Sequence, residues 1–147
     1  MNTKFSSQRD ENNLAYLPPT LTRLKLNCDA FLSLPSINIT CEVRKSMTRL
    51  TLRVFSNVNT MNQFILYFIN LEELTIIDCL TKITPHNIFI EERNFNPTTM
   101  LTRLKQVTIV KAKVPIHPLT VIQRGDDNVD YSTFFDAIPS LECIRIG

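Results

Sequence analysis

The chain has 147 residues, a net charge of +2 and only two glycines. That length suits one domain with a sizeable core, and the charge is too small to indicate nucleic acid or an acidic membrane as a partner. With glycine only at Gly125 and Gly147, glycine-rich phosphate loops and the GxSxG nucleophile elbow are excluded. The longest apolar run, 64–69, is far shorter than the about 20 residues of a membrane span, and the polar start lacks a signal-peptide segment. We expect an intracellular protein, cytoplasmic or nuclear, with no membrane partner.

The predicted elements begin after a polar N-terminal segment, 1–13, and fill residues 14–147 as one domain. A phrase of the form LxxLxL starts at residues 21, 47, 71, 104 and 141, in steps of 26, 24, 33 and 37. The first two steps fit leucine-rich repeats of about 20–29 residues, and the later two require insertions. For the fourth copy we prefer the start at Leu104 over Leu101, because it keeps Val107 and Ile109 at apolar positions. Each phrase predicts a strand with one apolar side.

Two helices are predicted before the third and fifth strands. Their apolar residues recur at helical spacing, and the same pattern returns 70 positions later in the chain. Thr60 with Gln63 predicts a capping box for the first helix, and Asp130 predicts an N-cap for the second. The stretches before Met47 and Leu104 predict a loop or a single turn. The matched apolar sets are Met61, Phe64, Ile65, Phe68, Leu71, Leu74 and Ile76, and then Tyr131, Phe134, Phe135, Ile138, Leu141, Ile144 and Ile146.

These units predict an α/β fold, a leucine-rich-repeat-like solenoid with a curved parallel sheet and helices or loops on its convex side. The alternative is an ordinary α/β domain, which does not explain five copies of one phrase. The chain ends just after the strand in 141–146, so we expect that strand to be an open edge that self-associates. Residues 80–100 and 112–129 are predicted as long, proline-bearing loops that are either functional or mobile.

Residues 71–79, read LEELTIIDC, match the pattern LxxLxLxxC and resemble the cysteine-containing leucine-rich repeats of F-box proteins. The resemblance implies a protein-binding module, and by association substrate recognition in an F-box-type ubiquitin ligase. Cys28 falls one residue early, and Phe55 and Ala112 occupy the cysteine position of other copies. Only about 13 polar residues precede Leu14, so we expect no F-box segment there. The repeat region equally fits a fragment of a longer array.

The sequence contains few candidates for metal binding or catalysis. No two of the four cysteines have zinc-ligand spacing, so we expect buried thiols, no metal site and no cofactor. The acidic stretch 125–130 departs from a calcium loop and predicts a solvated loop. The alternative function is an enzyme with a loop-borne site that combines His86 or His117 with Asp126 or Asp127, a pairing that no spacing supports.

The strand residues that alternate with the apolar positions are predicted to line the concave face. Residues 1–60 carry eight Lys+Arg against four Asp+Glu, and 61–147 carry eight against ten. We therefore predict a protein partner that is acidic; nucleic acid is disfavoured because no aromatic residues alternate with the cations. The alternative is that these side chains are merely solvated. The predicted partner-binding residues are Arg23, Lys25, Arg49, Arg53, Glu73, Thr75, Thr108 and Arg145.

Overall fold

A computed structural model of the protein describes residues 2–5, 20–26, 41–54, 58–79, 88, 100–111, 120–126 and 131–147. In these ranges one open sheet contains seven strands. They are β1 (Asn2–Phe5), β2 (Arg23–Leu26), β3 (Arg49–Val54), β4 (Glu73–Asp78), β5 (Gln106–Lys111), β6 (Thr120–Gln123) and β7 (Cys143–Ile146). The helices of the same ranges are α1 (Cys41–Ser46), α2 (Val58–Ile65) and α3 (Ser132–Ala137).

The sheet order is β1-β2-β3-β4-β5-β7-β6, and every neighbouring pair is parallel except β6 with β7. The five predicted strands all form and lie side by side in chain order, which confirms an α/β fold with a mostly parallel sheet. The register also confirms the preferred start of the fourth copy at Leu104. One core layer runs across the sheet through Leu24, Leu50, Leu74, Val107 and Ile144.

The same backbone hydrogen bonds recur at each junction between successive repeats. At every junction the two amides that precede or open a strand both donate to one carbonyl oxygen of the preceding repeat, over 2.8–3.2 Å. Because the junctions with long insertions match those without, the insertions leave the sheet geometry unchanged. The accepting residues, in order, are Thr22, Thr48, Glu72 and Lys105.

Serine side chains reinforce two of these junctions. The Ser46 hydroxyl donates to the Leu21 carbonyl oxygen over 2.7 Å, and the Ser140 hydroxyl donates to that of Leu104 over 2.7 Å. Both serines stand immediately before an LxxLxL phrase, and both accepting leucines open the preceding one. The equivalence supports the alignment of the repeats at the level of single atoms.

The helices pack on one face of the sheet and form a single core with it. Phe64 and Phe68 are fully buried, with ring centroids 5.1 Å apart in an edge-to-face arrangement. Phe134 and Ile138, their counterparts 70 positions later, are buried in the same core. The predicted internal match is thus confirmed in three dimensions.

The predicted helix starts were wrong. Thr60 lies inside α2, which begins at Val58, so it is not the N-cap. The N-cap of α3 is Tyr131, without a side-chain cap hydrogen bond, and Asp130 lies outside the described residues. A sequence motif locates a helix end only to within one or two residues, because helix ends fray. Helix α1 occupies a stretch predicted as a loop or single turn.

The predicted open edge was also wrong. Strand β7 is paired on both sides, because β6 folds back from the predicted loop 112–129 and pairs antiparallel with it. Ile122 of β6 is 5% exposed and joins the core beside Ile144, which gives the insertion an apolar reason to dock. At the other edge β1 lies within the segment 1–13, for which no element was predicted. In the described ranges, no helix is both long enough and apolar enough to cross a membrane.

Candidate interaction face on the sheet

The side of the sheet opposite the described helices is called the outward face here. Its residues in β2, β3, β4, β5 and β7 alternate with core residues and form rows across the strands. Parallel sheets normally carry helices on both faces, so a face without a described helix is a candidate binding surface. The first row is Arg23, Arg49, Glu73, Gln106 and Cys143; the second is Lys25, Thr51, Thr75, Thr108 and Arg145; the third contains Arg53, Ile77 and Val110.

Positive charge is concentrated on this face. These three rows hold five cations and one carboxylate, so the face is more positive than the whole chain at +2. Arg23, Lys25 and Arg145 are exposed and have no ion-pair partner among the described residues. Arg23 is the register neighbour of Arg49, and like charges directly opposite each other destabilise a sheet. Such an arrangement favours an anionic ligand.

One internal carboxylate competes for these cations. The Nε atom of Arg49 lies 3.2 Å from Oε2 of Glu73, and the side chains are 47% and 44% exposed. Arg53 is half-buried and makes contacts of its own. The cations among the predicted partner-binding residues therefore fall into two groups. Arg23, Lys25 and Arg145 are accessible, whereas Arg49 and Arg53 already have partners.

Thr75 and Thr108 occupy the middle of the second row. Thr75 is half-buried, whereas Thr108 is only 7% exposed, which is less than expected for a residue of a binding face. The Gln106 amide nitrogen lies 3.5 Å from the Thr108 hydroxyl oxygen, to which it donates. The threonine side chains are shorter than those of Lys25 and Arg145 in the same row, so the middle of the row is the low part of the face.

Two cysteines are described fully, and both are free thiols. Cys79 ends the LxxLxLxxC match, is buried as predicted, and has its sulfur 3.9 Å from the Ile77 carbonyl oxygen. Cys143 is half-buried in the first row, with its sulfur 3.9 Å from Oε1 of Gln106. Cys28 and the side chain of Cys41 lie outside the described residues.

The sequence interpretation missed a charged pair on the core side of the sheet. Asp78 follows Leu74 and Ile76 at buried positions of β4, and Lys111 follows Val107 and Ile109 in β5. The two are register partners, and their side chains form an ion pair. The sequence did carry a signal for this pair, because opposite charges stand at positions of two aligned strands where apolar residues are expected. Asp78 and Lys111 were missed because both follow the end of the LxxLxL phrase.

The alternative enzyme site is not assembled by the described residues. His86, His117 and Asp127 lie outside them, as does most of loops 80–100 and 112–129. Asp126 belongs to a turn, where its Oδ2 accepts the Gln123 amide over 2.8 Å. Nowhere in the described part of the chain do three or more His, Cys, Asp or Glu side chains gather as metal ligands would.

The strand order bears on ligand binding too. Doubly wound α/β proteins bind ligands where the strand order reverses. From β1 to β5 and on to β7 the parallel strands follow chain order, so the described sheet has no such reversal among them. Comparisons with protein families, with curated proteins and with solved structures found no match to this chain.

Proposed function

We propose that this protein is a non-catalytic interaction module that binds a protein partner on the outward face. The observation that carries the proposal is a parallel sheet with one face free of described helices, on which accessible cations are concentrated. A face of this kind speeds the encounter with an acidic partner and sets its orientation. No cofactor is required for this role.

The proposal includes a leucine-rich-repeat solenoid, with the outward face as its concave side. Three observations support it: the LxxLxLxxC match, the in-register strands in chain order, and the identical hydrogen bonds at each junction. By the same resemblance, the role would be substrate recognition in an F-box-type ubiquitin ligase inside the cell, in cytoplasm or nucleus. Proteins bound by the outward face would then be short-lived.

The test is to block the centre of the outward face. Thr75→Arg places a long side chain in the second row, whereas Arg103→Glu alters an exposed turn outside the sheet. We expect proteins retained from cell lysate by the wild-type protein to be lost with Thr75→Arg and kept with Arg103→Glu, as measured by quantitative mass spectrometry. Equal retention by both variants would refute the proposal. In the ligase role, the lost proteins should accumulate in cells when the proteasome is inhibited.

A further inference from the structure

We infer that the outward face binds an extended acidic segment of the partner, which crosses the strands along the second row between Lys25 and Arg145. The inference rests on the proposed function and adds the chemistry and shape of the partner. Lys25 and Arg145 flank the threonines of the row, and both are exposed without an ion-pair partner in the described ranges. Beyond them the row continues to Lys4 of β1 and Val121 of β6. Arg23, beside Lys25 on β2, adds a third accessible cation.

The spacing of the cations sets the length of the segment. Lys25 on β2 and Arg145 on β7 are separated by four strand intervals, or about 19 Å at about 4.8 Å each. An extended chain advances about 3.3 Å per residue, so carboxylates about six residues apart would reach both cations. Arginine favours carboxylates because its guanidinium can donate two parallel hydrogen bonds.

The surface shape of the outward face favours an extended segment over a folded domain. Between the two cations the row consists of Thr51, Thr75 and Thr108, which are short and half-buried or buried. The longer side chains of Lys25 and Arg145 thus flank a shallow floor of hydroxyl groups that can donate and accept hydrogen bonds. The adjacent Ile77 and Val110 are half-buried and offer apolar contact to alternate side chains of the segment.

Single-stranded nucleic acid is the less suitable polyanion. Proteins that bind it stack bases on aromatic side chains, and the three rows contain no aromatic residue within the described strands. Carboxylates need only the cations.

The experiment is a selection of random dodecapeptides displayed on phage, followed by fluorescence anisotropy with the selected peptides. The targets are the wild-type protein, Lys25→Glu/Arg145→Glu, the neutral Lys25→Ala/Arg145→Ala, and a control, Lys45→Glu/Arg103→Glu. Both control residues are exposed and lie outside the outward face. Urea unfolding establishes that each variant is folded, and the neutral variant replaces the reversal if that one does not fold.

We expect enrichment of Asp or Glu at two positions about five to seven residues apart. Binding should weaken at least tenfold in the reversal variant, less in the neutral one, and remain unchanged in the control. Absence of any enriched peptide, or acidic enrichment unaffected by either variant, would overturn the inference. Selection of apolar or basic peptides, with binding that Thr75→Arg abolishes, would overturn the inference but leave the proposed function intact. The inference would be overturned in favour of nucleic acid if labelled oligothymidylate bound more tightly than the selected peptides and if the Lys25/Arg145 variants weakened that binding.

Discussion

Lys111 and Asp78 form an ion pair on the core side of the sheet, with 2.7 Å between Nζ and Oδ2. The Asp78 side chain is 1% exposed and that of Lys111 is 24% exposed, so the pair lies where apolar residues would be expected. A buried pair is rarely more stable than well-packed apolar residues, but the loss of one partner is costly. We infer that the pair holds the ends of β4 and β5 in one register.

A double-mutant cycle with Asp78→Asn and Lys111→Met should reveal strong coupling. Residues in direct contact couple by about 0.5–3 kcal/mol, and we expect the upper half of that range because Asp78 is desolvated. Urea unfolding of the four proteins measures the coupling. The matched comparison is Arg49→Gln with Glu73→Gln, an exposed pair expected to couple by about 0.2–1 kcal/mol and to weaken in salt. Equal coupling energies for the two pairs would contradict the conclusion that Asp78 and Lys111 form a desolvated pair.

The two sides of β4 should respond differently to truncation. Leu74 is 1% exposed and sits in the shared core layer, so Leu74→Ala should reduce the free energy of unfolding by about 2–5 kcal/mol. Thr75→Ala on the outward face should have a much smaller effect, since Thr75 is only half-buried. Chemical denaturation of both variants checks this. A larger loss for Thr75→Ala would mean that the strand faces the other way.

Arg124 should be essential to the C-terminal end of the fold. Its guanidinium donates to the carbonyl oxygens of Leu141, Phe135 and Ile138 over 2.7, 3.1 and 2.9 Å, and lies over the Phe135 ring. Arg124→Ala leaves these carbonyls without that donor, at a cost of about 1–3 kcal/mol. Faster amide hydrogen exchange in α3 and β7 is the expected readout. Arg124→Lys keeps the charge but lacks the planar guanidinium, so it should restore little of the protection against hydrogen exchange. Full protection in the lysine variant would show that the charge alone suffices.

Asp126 should suppress association through the outer edge of β6. The Arg124 amide donates to the Glu142 carbonyl oxygen, so by antiparallel alternation the backbone groups of Gln123 point away from β7. Asp126 occupies them: its amide donates to the Gln123 carbonyl oxygen, and its carboxylate accepts the Gln123 amide. Asp126→Ala should free this amide and increase self-association in sedimentation equilibrium.

Asp126→Asn keeps an oxygen acceptor and serves as the control, with self-association expected to match that of the wild-type protein. If the alanine variant associates no more than the asparagine variant, the turn does not protect the edge. Within the described part of β6, this protection would leave only Val121 with an outward-pointing pair of backbone groups, too little for stable strand pairing.

The sequence predicted the parts of the fold that depend on the regular spacing of apolar residues. Leucine spacing located β2, β3, β4, β5 and β7 and their register, because each strand has one buried side. It could not predict β6, whose pairing with β7 depends on how an insertion returns to the sheet. Periodicity also placed Arg23, Lys25 and Arg145 on one face, but not the partner of Arg49, since a side-chain rotamer selects Glu73 over solvent.

The junction carbonyls of Thr22, Thr48, Glu72 and Lys105 have a consequence for how this protein can diversify. They hold each strand to the next in the same way whether the repeats are 24 or 37 residues apart. The segments between the strands can therefore differ in length without a change in the spacing of the sheet, provided that they keep core residues such as Phe64 and Ile122, because loop closure costs little per added residue. The length of the connecting segments can thereby vary independently of the side chains on the outward face.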